Sequence, residues 1–220
     1  VNPKLLDAIW FPELARAIID RAVTNLTNSM TFSYSPNGAY PEGPGYWTYA
    51  TDFATVALDL LDQSFGENFG LDRVPGFSRT GDYIQGLTGP TGLLFNCADA
   101  HTYMKRDCSY AMFSLARRFN RPDYLAPWEM ARLTETLRRQ PGKTRQYDRL
   151  LPLLLPLLPE TTPEAGAMPL SYYSGDSSAA PLASIRSDAA PEAGYFALTV
   201  GKPGRNHGHM DCGAFVYDVL

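Results

Sequence analysis

Three cysteines among 220 residues are too few, and wrongly spaced, for several common frameworks. Cys97, Cys108 and Cys212 form no CxxC pair, which excludes a zinc knuckle and a thioredoxin-type motif. Their odd number leaves at least one thiol without an internal partner. A Cys97–Cys108 bridge stays open for an oxidising compartment, but buried free thiols are the expectation. No apolar run is long enough to span a membrane; the best, at 150–158, is broken by Pro152 and Pro156. No signal-peptide pattern follows Val1. Positive charge is not in excess: the formal net charge is −4, against the basic footprint of a nucleic-acid binder. A local patch for an anionic ligand is still possible at that balance. Histidine is scarce, with three in all, so a cluster of two carries weight.

What is present suits a globular protein with a sizeable core, at 45% hydrophobic and 19% charged residues. The 13 tyrosines are many for this length and fit a carbohydrate-handling surface. The chain starts without Met and stops in a strand-like stretch, so a piece of a larger protein is expected.

The first informative stretch is NGAYPEGPGYWTYATDFATVALDLLD, residues 37–62. Breakers at Asn37-Gly38 and 41–45 are followed by a helical period: Tyr46, Tyr49, Phe53, Val56, Ala57, Leu60 and Leu61 share one stripe. Pro44 suits the first helical turn, where its missing N–H costs nothing. The pattern predicts a helix over about 45–64, with that stripe buried. Glu42, Tyr46, Trp47 and Tyr49 cluster at its start, and phenol, carboxylate and flat ring are groups that handle a sugar and its protons.

Further helices are expected over 3–10, 12–30 (Leu14, Ile18, Ala22, Leu26), 81–87, 98–119, 122–139 and 146–155. Within 98–119, Tyr103, Ala111, Leu115 and Phe119 face inward on this reading, and Asp99 serves as an N-terminal helix acid. His101 alone reads as structural. Arg73 and Arg79 lie in a loop and offer anion contacts. Composition shifts at 156–181 to Pro, Ser, Ala and Gly, a linker signature. The period then becomes two, predicting strands at 182–186, 195–200 and 212–220. Helices first and strands after imply segregated layers: a helical part over 1–158, a linker at 159–181, and strands over 182–220.

The second informative stretch, NHGHMDCG at 206–213, lies between the last two strands. In an extended segment His207 and His209 fall on one side, with Asp211 continuing the alternation. Such a pair offers two nitrogen ligands, or one ligand and one base. Arg205, just before it, is a candidate for binding an anionic substrate.

Taken together, GAYPEGPGYWTYATDF, FGLDRVPGF, GLLFNCADA and NHGHMDCGAFVYDVL resemble the heparinase II/III-like polysaccharide lyases, in the family's order. The resemblance implies an α+β multidomain chain: part of an (α/α) toroid followed by the start of an antiparallel β-sandwich. It implies β-elimination on a uronic-acid-containing polysaccharide, in the periplasm or outside the cell. A base removes the proton on C5, the carboxylate charge is neutralised, and an acid protonates the departing O4. By the same resemblance Tyr49 is the catalytic tyrosine with Tyr46 second, His207 the active-site histidine, and His209 a ligand of a structural zinc whose partners lie beyond Leu220. Trp47, Glu42, Arg79 and Arg205 are then substrate-binding. A free phenol titrates near about 10, so a tyrosine base needs positive charge beside it. The family's carboxylate-neutralising Asn or His would precede this chain, which makes the isolated chain weak or inactive on this reading. Two alternatives stand beside it. One is a glycoside hydrolase pairing Glu42 with Asp52 or Asp99. The other is a non-catalytic carbohydrate-binding protein.

Overall fold

The computed structural model describes residues 12–101, 103, 108–125, 128–138, 150–160, 167–175, 177–178, 180–190, 192–202 and 204–220. The expected helix at 3–10 lies outside them, as do the first four residues of that at 146–155.

Helix α1, Pro12–Tyr34, begins at the expected proline. It docks only by its far end: Met30 and Tyr34 are buried, while Leu14 and Ile18 of the expected stripe are 58% and 59% exposed. Tyr34 meets Phe77 edge-on at 5.0 Å, and its hydroxyl lies 3.0 Å from Thr51 Oγ1.

Helix α2, Gly43–Phe65, has Pro44 in its first turn and stops at Gly66 in the left-handed conformation. Its inward face corrects the sequence reading. Trp47, Thr51, Asp52, Ala54, Thr55 and Leu58 are buried, whereas Tyr49, Phe53 and Leu60 of the expected stripe are exposed. Polar residues can face the core because each finds a partner there. Asp52 Oδ1 accepts from Ser109 Oγ at 2.6 Å and from the Ala111 N–H at 2.8 Å.

That carboxylate also explains where helix α4 starts. After α3, Thr80–Gly86, the next helix is α4, Tyr110–Arg118, not 98–119. Asp52 satisfies a first-turn N–H of α4 and favours the positive end of its dipole. Ala98 is left-handed at φ 55, a conformation unfavourable for a non-glycine residue and outside the helical region, and Tyr103 is exposed rather than inward. Ala111 and Leu115 are buried as expected. Helix α5 spans Trp128–Leu137, preceded by a 3-10 turn at Pro122–Tyr124, and the short α6 spans Leu151–Leu154.

Four strands follow: β1 Ser171–Tyr173, β2 Leu182–Arg186, β3 Tyr195–Thr199 and β4 Phe215–Asp218, antiparallel in sequence order. β1 falls inside the stretch read as linker; three residues are too few to show a period. The register pairs Ile185 with Phe196, and Phe196 with Tyr217. One sheet face is tied to the helical layer. Ser184 Oγ and Tyr195 Oη both donate to the Gly86 carbonyl, at 2.7 and 2.9 Å, and Arg186 donates to the Thr88 carbonyl. The other face shows Tyr173, Ile185, Phe215 and Tyr217 to solvent. Six α-helices and a four-stranded antiparallel sheet among the described residues make a mixed α+β fold. No helix among them is long and apolar enough to cross a membrane.

Candidate active site

The start of α2 is fixed from below. Trp47 is fully buried, its indole N–H donates to Thr80 Oγ1 at 2.8 Å, and that hydroxyl donates to the Gly38 carbonyl at 2.7 Å. The ring therefore has no face for a sugar, which corrects its assignment as a platform. Gly43, at φ 88, lets residues 97–98 lie against the first turn: a Cβ there would stand 2.7 Å from the Cys97 carbonyl oxygen. Glu42 makes no side-chain cap for its own helix.

Onto this corner folds the β3–β4 connection. Asn206 Nδ2 donates to Glu42 Oε1 at 2.7 Å. The His207 ring stacks on Tyr46, with centroids 4.1 Å apart and planes 27° apart. His207 Nδ1 lies 2.5 Å from Asp99 Oδ2, and His209 Nε2 lies 2.7 Å from Asp99 Oδ1. The histidines thus converge on one carboxylate, through a turn rather than an extended segment, since His207 is left-handed at φ 52. Hydrogen bonds from His209, then from His207, hold the Asp99 carboxyl below the usual carboxylate range. Left-handed non-glycine backbone is uncommon and persists where surrounding contacts impose it. Here it occurs at His207 and at Ala98, next to Asp99.

Asp99 is the site residue that sequence reasoning placed elsewhere, as a helix-start acid. The one usable signal was its position inside GLLFNCADA. Glu42 is occupied in pinning the connection. Tyr49 stands one turn beyond Tyr46, 45% exposed, edge-on to Phe53 at 5.2 Å. Arg205 has Nε and Nη1 buried without a hydrogen-bond partner among the described residues. Its charge acts on Tyr83 and on Cys97, whose thiol burial pushes up to about 12 against that pull. Arg79 is exposed and lies 3.6 Å from Asp82, so it is not drawn into this corner. Burial pushes Tyr40 up to about 12 and drives Tyr34, Tyr83, Tyr110, Tyr124, Tyr172 and Tyr195 above the usual tyrosine range. Those phenols are unsuited to proton transfer with a substrate.

His209 Nε2 is taken up by Asp99, and no group of three His, Cys, Asp or Glu side chains among the described residues could hold a metal ion. Asp52, one candidate for a carboxylate pair, is buried and spent on the start of α4. Cys97 and Cys108 are buried free thiols, whereas Cys212 is free and exposed. No protein-family model and no curated protein matches the chain.

Proposed function

We propose that the chain carries part of the active site of a polysaccharide lyase acting on a uronate polymer by β-elimination. The supporting observation is a histidine stacked on Tyr46 with a solvent-facing tyrosine one turn on. Each feature answers one demand of the chemistry. Arg205, whose Nε and Nη1 are buried, lends positive charge to the corner from beneath and does not grip the substrate carboxylate, which must be neutralised by another donor before the C5 proton becomes acidic. His207 takes that proton. The electron pair becomes the C4–C5 double bond, and O4 leaves with a proton from Tyr49. Tyr46 braces the imidazole. No step passes through zinc.

On the same proposal the helical layer belongs to a toroid and the sheet to a sandwich. The apolar outer face of Tyr173, Ile185, Phe215 and Tyr217 is the kind of surface a second sheet covers. The substrate class points to the periplasm or the exterior. The hydrolase reading is weaker because Asp52 caps α4 and Asp99 is engaged by two histidines.

The test is ultraviolet absorbance of the unsaturated uronate, with alginate, heparan-type and other uronate polymers as substrates. Tyr49→Phe should lower the rate by about 10²- to 10⁴-fold, the usual weight of a general acid. Tyr46→Phe, which keeps the ring stack, should lose far less. Cleavage that yields saturated ends, or full activity in Tyr49→Phe, would rule the mechanism out.

A further inference from the structure

An ionised carboxylate can only accept hydrogen bonds. Asp99 faces His207 Nδ1 with one oxygen and His209 Nε2 with the other. Both nitrogens must therefore carry hydrogen. A neutral imidazole has one N–H and one lone pair, and the bond made by one nitrogen decides the state of the other. The two rings reach Asp99 through different nitrogens, so a single carboxylate imposes different answers on them.

We propose that Asp99 is a positioning residue that holds the two histidines in opposite tautomers: His207 with its proton on Nδ1 and a lone pair on Nε2, and His209 the reverse. Its catalytic meaning rests on the lyase reading, because only then does the bare Nε2 of His207 meet a C5 proton. The surroundings restrain the same arrangement. Tyr46 fixes the plane of the His207 ring, and a half-turn within that plane would put Cδ2 where Nδ1 meets Asp99 and lose the bond. The Asn206–Glu42 bond anchors the preceding residue. Left-handed backbone at Ala98 and His207 aims carboxylate and ring at one another. His207 keeps about a third of its side chain exposed, leaving room for a substrate to approach.

Nitrogen-15 NMR of the histidine-labelled chain reads tautomers directly. It is run at about pH 9, well above the ordinary histidine value of about 6.5. Three histidines make assignment by His207→Gln and His209→Gln simple. The expected spectrum has a pyrrole-type Nδ1 and pyridine-type Nε2 for His207, and the opposite for His209. In Asp99→Ala the two rings should lose this contrast. In Asp99→Asn, which keeps the shape but offers only one accepting atom, at least one ring should change. A thermal melt of each variant confirms that it is folded. In the lyase assay on the full-length parent, Asp99→Asn should lower kcat by about ten- to a hundredfold, with KM nearly unchanged, the scale of other residues that orient a histidine. The same tautomer on both rings, a proton on Nε2 of His207, or a contrast that survives Asp99→Ala would overturn the proposal. Opposite tautomers in a protein that eliminates no uronate would leave it standing and discard the lyase reading instead.

Discussion

Replacing Trp47 with Phe separates two accounts of the same residue. On the sequence pattern Trp47 belongs to a sugar platform; in the fold it is sealed under the site. The indole N–H bond to Thr80 is worth about 1 kcal/mol net. The smaller ring leaves part of the indole volume empty. Trp→Ala in a core costs about 3–5 kcal/mol, and Phe restores most of the bulk, so the total for Trp47→Phe is about 2 kcal/mol. Thr80 keeps its donation to the Gly38 carbonyl, which limits the damage to one bond and one void. Against a whole-protein stability of roughly 5–15 kcal/mol the variant should still fold. In urea, with a slope of about 2 kcal/mol per molar, the midpoint should fall by roughly 1 M at unchanged slope. Affinity for a uronate oligosaccharide, measured well below that midpoint, should be unaltered. An unchanged midpoint combined with a clear loss of sugar binding would refute the burial argument.

Two further perturbations test the scaffold. Gly76 is at φ 83, and a Cβ there would overlap the Tyr34 carbonyl oxygen and stand 2.5 Å from Gly38 N and 2.8 Å from Asn37 N. All three are backbone atoms that cannot rotate away. Gly76→Ala should cost about 3 kcal/mol or more, from left-handed strain plus overpacking, read as a lower thermal midpoint. Arg118 lies 2.5 Å from Asp59, 2.7 Å from Asp62 and 3.7 Å from Asp72, with 11% of its side chain exposed. Arg118→Ala should cost about 3–5 kcal/mol by leaving three carboxylates facing one another, and added salt should recover part of it. A loss under 1 kcal/mol would mean that the cluster is solvated like an ordinary surface.

Much of the fold could be read from local rules, and the failures share a cause. Pro12 and Pro44 mark helix starts, and two-residue alternation marks β2 and β3, because proline chemistry and strand pleating act within a few residues. The inward face of α2 was misread because its apolar stripe is the longer one. The face chosen carries Thr51, whose partner is Tyr34, and Asp52, whose partners are Ser109 and Ala111, while Thr55 bonds back to the carbonyls of its own helix. Periodicity weighs burial and cannot see partners distant in sequence. The same blindness placed Asp99 at the head of a helix. Its partners are about 110 residues away, and only the resemblance blocks put them in one neighbourhood. His207 and His209 were legible as a pair because adjacency is local.

The geometry of the site is set by the joint between the two layers. Glu42, Tyr46 and Asp99 belong to the helical side, and Asn206, His207 and His209 to the β3–β4 connection. The connection is held at its strand ends. β3 is fixed through Tyr195 to the Gly86 carbonyl, and β4 through Asp218, whose Oδ2 accepts from Thr91 Oγ1 at 2.6 Å. Both anchors lie on residues 86–91, and Asp99 follows eight residues after the second. One short stretch of chain therefore positions the strands that carry the histidines and the carboxylate that receives them. Within the connection, the Asn206–Glu42 bond and the His207–Tyr46 stack then hold the 2.5 and 2.7 Å distances to Asp99. Those distances depend as well on 86–99 keeping its shape, and that segment is buried along most of its length, with Leu87, Leu94, Phe95 and Cys97 in the core.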